Sequence, residues 1–131
     1  MGVNYLLDTH VVLWLLVDAP QVPGSVRADL ASRENTLFVS AVSALEVATK
    51  VRLGKLSAPG LVDSWHRRMA DIGAESAPVT AEHALLAGRM DWEHRDPFDR
   101  LLVATATIEG FTLVTVDDAM RRLPSPSILT W

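Results

Sequence analysis

The 131-residue chain contains no cysteine, which excludes a disulfide framework, a thiolate zinc site, a cysteine nucleophile and a CxxC redox pair. Positive charge is also scarce. Twelve Lys+Arg against sixteen Asp+Glu give a net charge of −4, so no overall positive field gathers a phosphate backbone and bulk electrostatic binding of nucleic acid is disfavoured. Any polyanion has to be met locally. Long apolar runs are missing as well: the longest, Val11 to Val17, is bracketed by Asp8-Thr9-His10 and Asp18, far short of the ~20 residues a membrane helix needs. The amino terminus has no basic segment and places Asp8 where a signal sequence would be apolar. No membrane association and a cytoplasmic location are the expectations.

What is present is apolar and periodic, with 49% hydrophobic residues and a mean hydropathy of +0.19. Five stretches rich in β-branched and apolar residues, Val3 to Leu7, Thr36 to Ser40, Glu75 to Val79, Thr112 to Val116 and Ser127 to Trp131, read as strands. Segments with helical spacing lie between them. Pro23-Gly24 opens one, and Ser43 stands three residues before Glu46 at capping-box spacing. Leu45 and Ala48 continue an apolar face there until Gly54, a good carboxyl-terminal stop. Leu61, Trp65 and Met69 share a face, Thr80 opens a further helix, and Asp96-Pro97-Phe98-Asp99 starts an apolar helix running to Gly110. Strands alternating with helices imply βαβ units and a mostly parallel sheet covered on both faces. No repeat or linker divides the chain, so residues 1–131 read as one domain.

The acids matter by position rather than number. Asp8 and Asp117 each follow an apolar strand, and open parallel sheets bind ligands at the carboxyl ends of strands, where the strand order reverses. Glu46 and Asp99 lie in the first turns of helices that begin at that edge, each in apolar company. Acids are seldom buried unless paired or bound to a cation. Two carboxylates ~4 Å apart repel by about 4 kcal/mol at an effective dielectric of ~20, and a divalent cation removes that cost. With oxygen ligands and no zinc-like His or Cys spacing, Mg²⁺ or Mn²⁺ is favoured. Such an ion binds a substrate phosphate and activates water for in-line displacement.

Each acid also has a plainer explanation. Asp96 reads as the helix N-cap with Pro97 in the first helical position, and Asp99 can complete that cap. Glu46 stands four residues before Lys50, an ordinary helix pair. Asp8 and Asp117 can each cap the helix that follows. Four separate explanations would have to coincide at one edge, whereas one cation site accounts for all four. Arg95 and Arg100 flank the acidic helix start and are candidates for phosphate contacts, as is Thr115, two residues before Asp117, for a substrate contact. His10 neighbours Asp8. His66, His83 and His94 show no ligand spacing and receive no role. Arg67-Arg68 and Arg121-Arg122 read as solvated faces, and no GxxxxGK or GxGxxG cradle occurs.

Four segments follow one another along the chain: Leu6-Leu7-Asp8-Thr9-His10 with Leu13-Trp14; Ser43-Ala44-Leu45-Glu46; Arg95-Asp96-Pro97-Phe98-Asp99-Arg100-Leu101-Leu102; and Leu113-Val114-Thr115-Val116-Asp117. In this order the sequence resembles a PIN-domain ribonuclease and, more narrowly, the VapC-type toxins of bacterial type II toxin–antitoxin pairs. The resemblance spans essentially the whole chain, and Asp-Pro-Phe-Asp-Arg is its most specific part. It implies a PIN-like three-layer α/β sandwich whose five-stranded parallel sheet has order 3-2-1-4-5 and helices on both faces. It also implies that Asp8, Glu46, Asp99 and Asp117 form an acidic site that holds Mg²⁺ or Mn²⁺ and hydrolyses RNA phosphodiester bonds. Val116 departs from the pattern, since many relatives carry a polar residue there. A homodimer is implied, with a cognate antitoxin that binds DNA through its own amino-terminal part and pushes a basic side chain into the acidic pocket. Val11 to Val17 with Trp14, and the helix after Pro23, are then candidates for the docking groove; Trp14 as plain core is the alternative.

Two other classes compete. A phosphoacceptor receiver domain needs adjacent acids after the first strand and a lysine after the fifth, but Asp8 has no acidic neighbour and the only lysines are Lys50 and Lys55. A dehalogenase-type phosphatase needs a second Asp where this chain has His10. A catalytically silent PIN domain, acting as a binding or scaffold protein, is the third reading, and the four intact acids argue against it.

Overall fold

The computed structural model describes residues 2–131. Five strands, β1 (Asn4–Leu7), β2 (Thr36–Ser40), β3 (Ala74–Ala77), β4 (Thr112–Val114) and β5 (Ile128–Leu129), form one sheet. Between them run α1 (Thr9–Leu16), α2 (Gly24–Ala31), α3 (Ala41–Arg52), α4 (Trp65–Asp71), α5 (Ala81–Arg89), α6 (Pro97–Glu109) and α7 (Asp118–Arg121). The sheet order is β3-β2-β1-β4-β5 and every pairing is parallel, as the sequence pattern and the resemblance led one to expect. Among the described residues no helix is long and apolar enough to cross a membrane.

Strand periodicity builds two cores. Tyr5 and Leu7 of β1 join Leu37, Val39 and Val114 on one face, where Val11, Val12, Leu30 and Met69 from α1, α2 and α4 cover them. Leu6 points the other way, joining Leu113 under Leu102, Val103 and Ala106 of α6 and Met120 of α7. Neighbouring residues of one strand thus serve opposite layers, and the sheet is covered on both sides. Fully burying a side chain such as Leu102 stabilises the fold by about 1.5–3 kcal/mol.

The helix ends follow from local chemistry. Asp96 caps α6, its Oδ1 accepting from the backbone N–H groups of Phe98 and Asp99, with Pro97 in the first turn and Gly110 closing the helix at φ +72°. Two expectations along α3 change. Ser40, not Ser43, caps it by accepting from Val42 N; Ser43 is internal and shares a buried 2.9 Å hydrogen bond with Thr9. Leu45 is exposed, and the buried face of α3 carries Val42, Ser43, Glu46 and Val47. Apolarity alone therefore assigned the wrong face, because a packed site draws Glu46 inward.

Four of the five strands differ from their expected bounds, β1 by starting at Asn4 rather than Val3. β3 starts at Ala74 and ends at Ala77, ahead of Pro78, which has no N–H to donate to a ladder. β4 ends at Val114, because the Thr115 hydroxyl accepts from Asp117 N and turns the chain toward α7. β5 is confined to Ile128–Leu129, although Thr115 N still donates to Leu129 O at 3.1 Å.

Candidate metal centre

The strand order reverses between β1 and β4, which pair in parallel beside one another. The first residue beyond β1 is Asp8, whose N–H extends the ladder to Val114 O at 2.9 Å. Although Asp8 stands at the N-cap of α1, its side chain makes no capping hydrogen bond. Its Oδ2 instead accepts from Thr115 Oγ1 at 2.9 Å, across 107 residues of sequence. Both are buried, Asp8 at 4% and Thr115 at 0% exposure. Burial pushes the Asp8 carboxyl up and nearby Glu46 adds to this, while the Thr115 hydroxyl, His10 and the Thr9 backbone pull it down.

Glu46 is also buried, at 4% exposure. Its Oε2 accepts from Lys50 Nζ one turn on, so the expected helix pair is real, yet it lies inside the acidic cluster. The Lys50 ammonium is held above its ordinary range chiefly by that hydrogen bond, with Asp96 and Asp99 contributing.

Asp99 sits in the first turn of α6. Burial pushes its carboxyl up to about 6, the His94 hydrogen bond pulls the other way, and the negative charges of Asp96, Asp8 and Asp117 raise it further. Asp117 does what its plainer explanation required: Oδ1 caps α7 by accepting from Ala119 N and Met120 N at 2.9 and 3.1 Å. Capping uses one oxygen and leaves the other. The fold thus brings Asp8, Glu46, Asp99 and Asp117 near enough to act on one another's ionisation, either directly or through Lys50.

The tightest ligand set among the described residues is a different one: His94, Asp96 and Asp99 each place one ligand atom within 4.8 Å of the others. An imidazole joins carboxylates without adding like-charge repulsion. The donor set as a whole suits a hard divalent ion. Oxygens dominate it, and Glu46, Asp99 and Asp117 are each fixed through one oxygen, leaving the second to bind.

The sequence pattern of the PIN domain family matches residues 5–126. The chain belongs to the PIN domain family. This PIN domain is 30% identical over 129 residues to ribonuclease VapC22 of Mycobacterium tuberculosis, covering 96% of this chain and 97% of that protein. A chain in the crystal structure of VapBC2 from Rickettsia felis, bound to a DNA fragment from their promoter, matches with a TM-score of 0.71 at 18% identity, 98% of each chain being covered. A chain in the structure of FitAB bound to an IR36 DNA fragment matches at 0.67 and 20% identity, over 96% of this chain and 94% of that one. At those identities the two structures establish the shared fold.

Two expected substrate contacts of this PIN domain meet side chains that are otherwise engaged. Thr115 is fully buried, its hydroxyl shared between Asp8 and Asp117 N. The Arg100 guanidinium donates to the carbonyls of Ala87, Met90, Trp92 and His94, the longest of these bonds being 2.9 Å. Arg100 therefore folds the segment between α5 and α6 and is no free cation; Arg95 is the exposed one of the two. His83 has a structural role, closing the cap of α5 through Nδ1 and Thr80 while Nε2 meets Glu109. Sequence reasoning missed His94. Its five-residue distance from Asp99 runs from a loop into a helix, so no helical or strand period marks it. Trp14 is half-buried, packing on the core and also lining a groove.

Proposed function

We propose that this PIN domain, residues 1–131, is a divalent-metal-dependent endoribonuclease toxin, silenced in the cytoplasm by a cognate antitoxin. The observation that carries the reading is the convergence of Asp8, Glu46, Asp99 and Asp117 at the switch point between β1 and β4. The 30% identity to a ribonuclease over nearly the whole length supports the same activity, and the fold shared with VapBC2 and FitAB supports the antitoxin.

Asp8, Glu46, Asp99 and Asp117 would hold the ion. A divalent ion held there would supply charge that offsets the carboxylates and a Lewis acid for an RNA phosphate and its attacking water. The residues supply orientation. Thr115 fixes the plane of the Asp8 carboxylate, and the α7 cap fixes Asp117. Without a cation, each acid near an incoming phosphate costs about 4 kcal/mol at ~4 Å and a dielectric of ~20, so RNA is excluded. Substrate approaches over the open depression lined by Trp92, Glu93, His94 and Arg95, where Arg95 meets phosphate. DNA concerns this chain only through the antitoxin.

The apolar groove of about 430 Å³ that includes His10, Leu13, Trp14, Leu56 and Arg68 receives the antitoxin tail. His10 stands two residues from Asp8, so a chain lying there brings a basic side chain to the acids. Pairing of two copies belongs to the same reading and is measured by light scattering.

The purified, antitoxin-free chain is expected to cut a cellular RNA pool with Mg²⁺ or Mn²⁺ and to stop in EDTA. Asp8→Asn and Asp99→Asn are expected to lose at least a hundredfold in rate with the fold retained by circular dichroism. Cleavage that persists in EDTA, or that survives both substitutions, overturns the proposal. Metal binding without cleavage of any RNA favours the scaffold reading instead.

A further inference from the structure

His94 lies outside the four acids yet touches one of them. Its Nε2 is 2.6 Å from Asp99 Oδ2, in a half-buried position. The contact is held from both sides. The imidazole packs beside the Trp92 indole, with ring centres 4.8 Å apart, and the His94 carbonyl accepts from Arg100 Nη1 at 2.9 Å. Arg100 is the residue next to Asp99 on α6, so one helical turn carries the carboxylate and also ties down the loop that delivers the imidazole.

We propose that His94 is the positioning residue of Asp99: by donating from Nε2 to Oδ2 it sets the carboxylate plane and presents Oδ1 to the metal. The proposal rests on the metal-dependent reading above. A carboxylate held at one oxygen keeps a single orientation, whereas a free one rotates about its terminal bond, and outer-shell partners of this kind are worth about 10–100-fold in metal affinity or activity. The contact as it stands is a hydrogen bond, 2.6 Å being hydrogen-bond spacing, and direct ligation by His94 is the outcome the test separates from it.

The test is Mn²⁺ binding by the full chain, read from the paramagnetic resonance of free Mn²⁺, with thermal unfolding as a fold control. His94→Ala is expected to weaken binding about 10–100-fold. His94→Phe, which keeps packing on Trp92 without a donor, is expected to match it. His94→Gln, whose amide N–H can replace Nε2, is expected to stay within about threefold of wild type, and saturating Mn²⁺ is expected to restore most of the RNA cleavage lost in His94→Ala. Unchanged Mn²⁺ affinity in His94→Ala overturns the proposal. So does a Gln variant as weak as Ala. A nitrogen coupling to bound Mn²⁺ that vanishes in His94→Ala also overturns it, by making His94 a ligand. Wild-type protein that binds no Mn²⁺ overturns the metal-dependent reading as well, a result distinct from tight binding indifferent to His94.

Discussion

Thr115 Oγ1 donates to Asp8 Oδ2 at 2.9 Å and accepts from Asp117 N at 3.0 Å, so one buried hydroxyl joins two acids from neighbouring strands. Thr115→Val keeps the shape and removes both bonds. Asp8, already raised by burial, then loses its principal stabilising partner and binds a cation less well. Mn²⁺ affinity is expected to drop about tenfold, in the range for outer-shell partners, while Thr115→Ser stays near wild type. Isothermal calorimetry on the three proteins measures it, and equal affinity of Val and Thr would contradict the role.

Asp99 makes the metal-free protein sensitive to pH. Its carboxyl lies at about 6 in the fold, against an ordinary 3.8, so between these values the native state retains a proton that the unfolded chain releases. Stability from this group is therefore present at low pH and falls as pH rises from about 4 to about 6. In EDTA, Asp99→Asn is expected to be more stable than wild type at pH 7.5 by about 1–2 kcal/mol, discounted for partial solvation and for the altered His94 contact. The gap is expected to close toward pH 4.5. Chemical denaturation at both pH values measures it, and added Mn²⁺ is expected to stabilise only the wild type.

Lys50 stands where it would compete with a metal ion for the acids. Its ammonium bonds Glu46 and feels Asp96 and Asp99. Lys50→Met is expected to tighten Mn²⁺ binding by about three- to tenfold, the scale of one partly screened charge interaction, while lowering metal-free stability. A binding titration in EDTA-treated protein reads the first effect and thermal unfolding the second. Weaker binding would instead make Lys50 an orienting partner of Glu46.

Arg100 supports the 90–94 segment through the carbonyls of Met90, Trp92 and His94 and ties it to α5 through that of Ala87. Arg100→Lys keeps the charge and loses the planar fork. A loss of about 2–3 kcal/mol is expected, in line with hydrogen bonds to a charged group, together with faster hydrogen exchange at Trp92 and His94. A stability change below about 0.5 kcal/mol would show that the loop is held by other contacts.

Strand and helix starts were legible wherever local chemistry decides them. The apolar run into Asp8, the Asp96-Pro97 start of α6 and the Gly110 stop need only neighbouring residues, and the structure has each in place. The inward face of α3 was not legible. Leu45 is the apolar choice, yet Glu46 is buried, because α3 turns inward the face on which Ser43 meets Thr9 of α1, and Lys50, one turn on along α3 itself, pairs the Glu46 carboxylate. Arg100 misled in the same way: a cation beside an acidic motif suggests phosphate, but its fork meets four carbonyls.

By itself, the sequence determined an apolar β/α alternation with acids at strand ends and helix starts, since periodicity and capping act over a few residues. It also excluded thiol chemistry and a broad positive field. The −4 net charge did not argue against a nucleic-acid enzyme once part of it was found gathered at one sheet edge. Only the tertiary structure decided that Thr115 meets Asp8 across 107 residues, that Lys50 stands among the acids and that His94 reaches Asp99. The resemblance carried the strand order, but which side chains meet across the sheet edge and how a loop folds around one guanidinium depend on tertiary packing, and the local side-chain pattern holds no record of either.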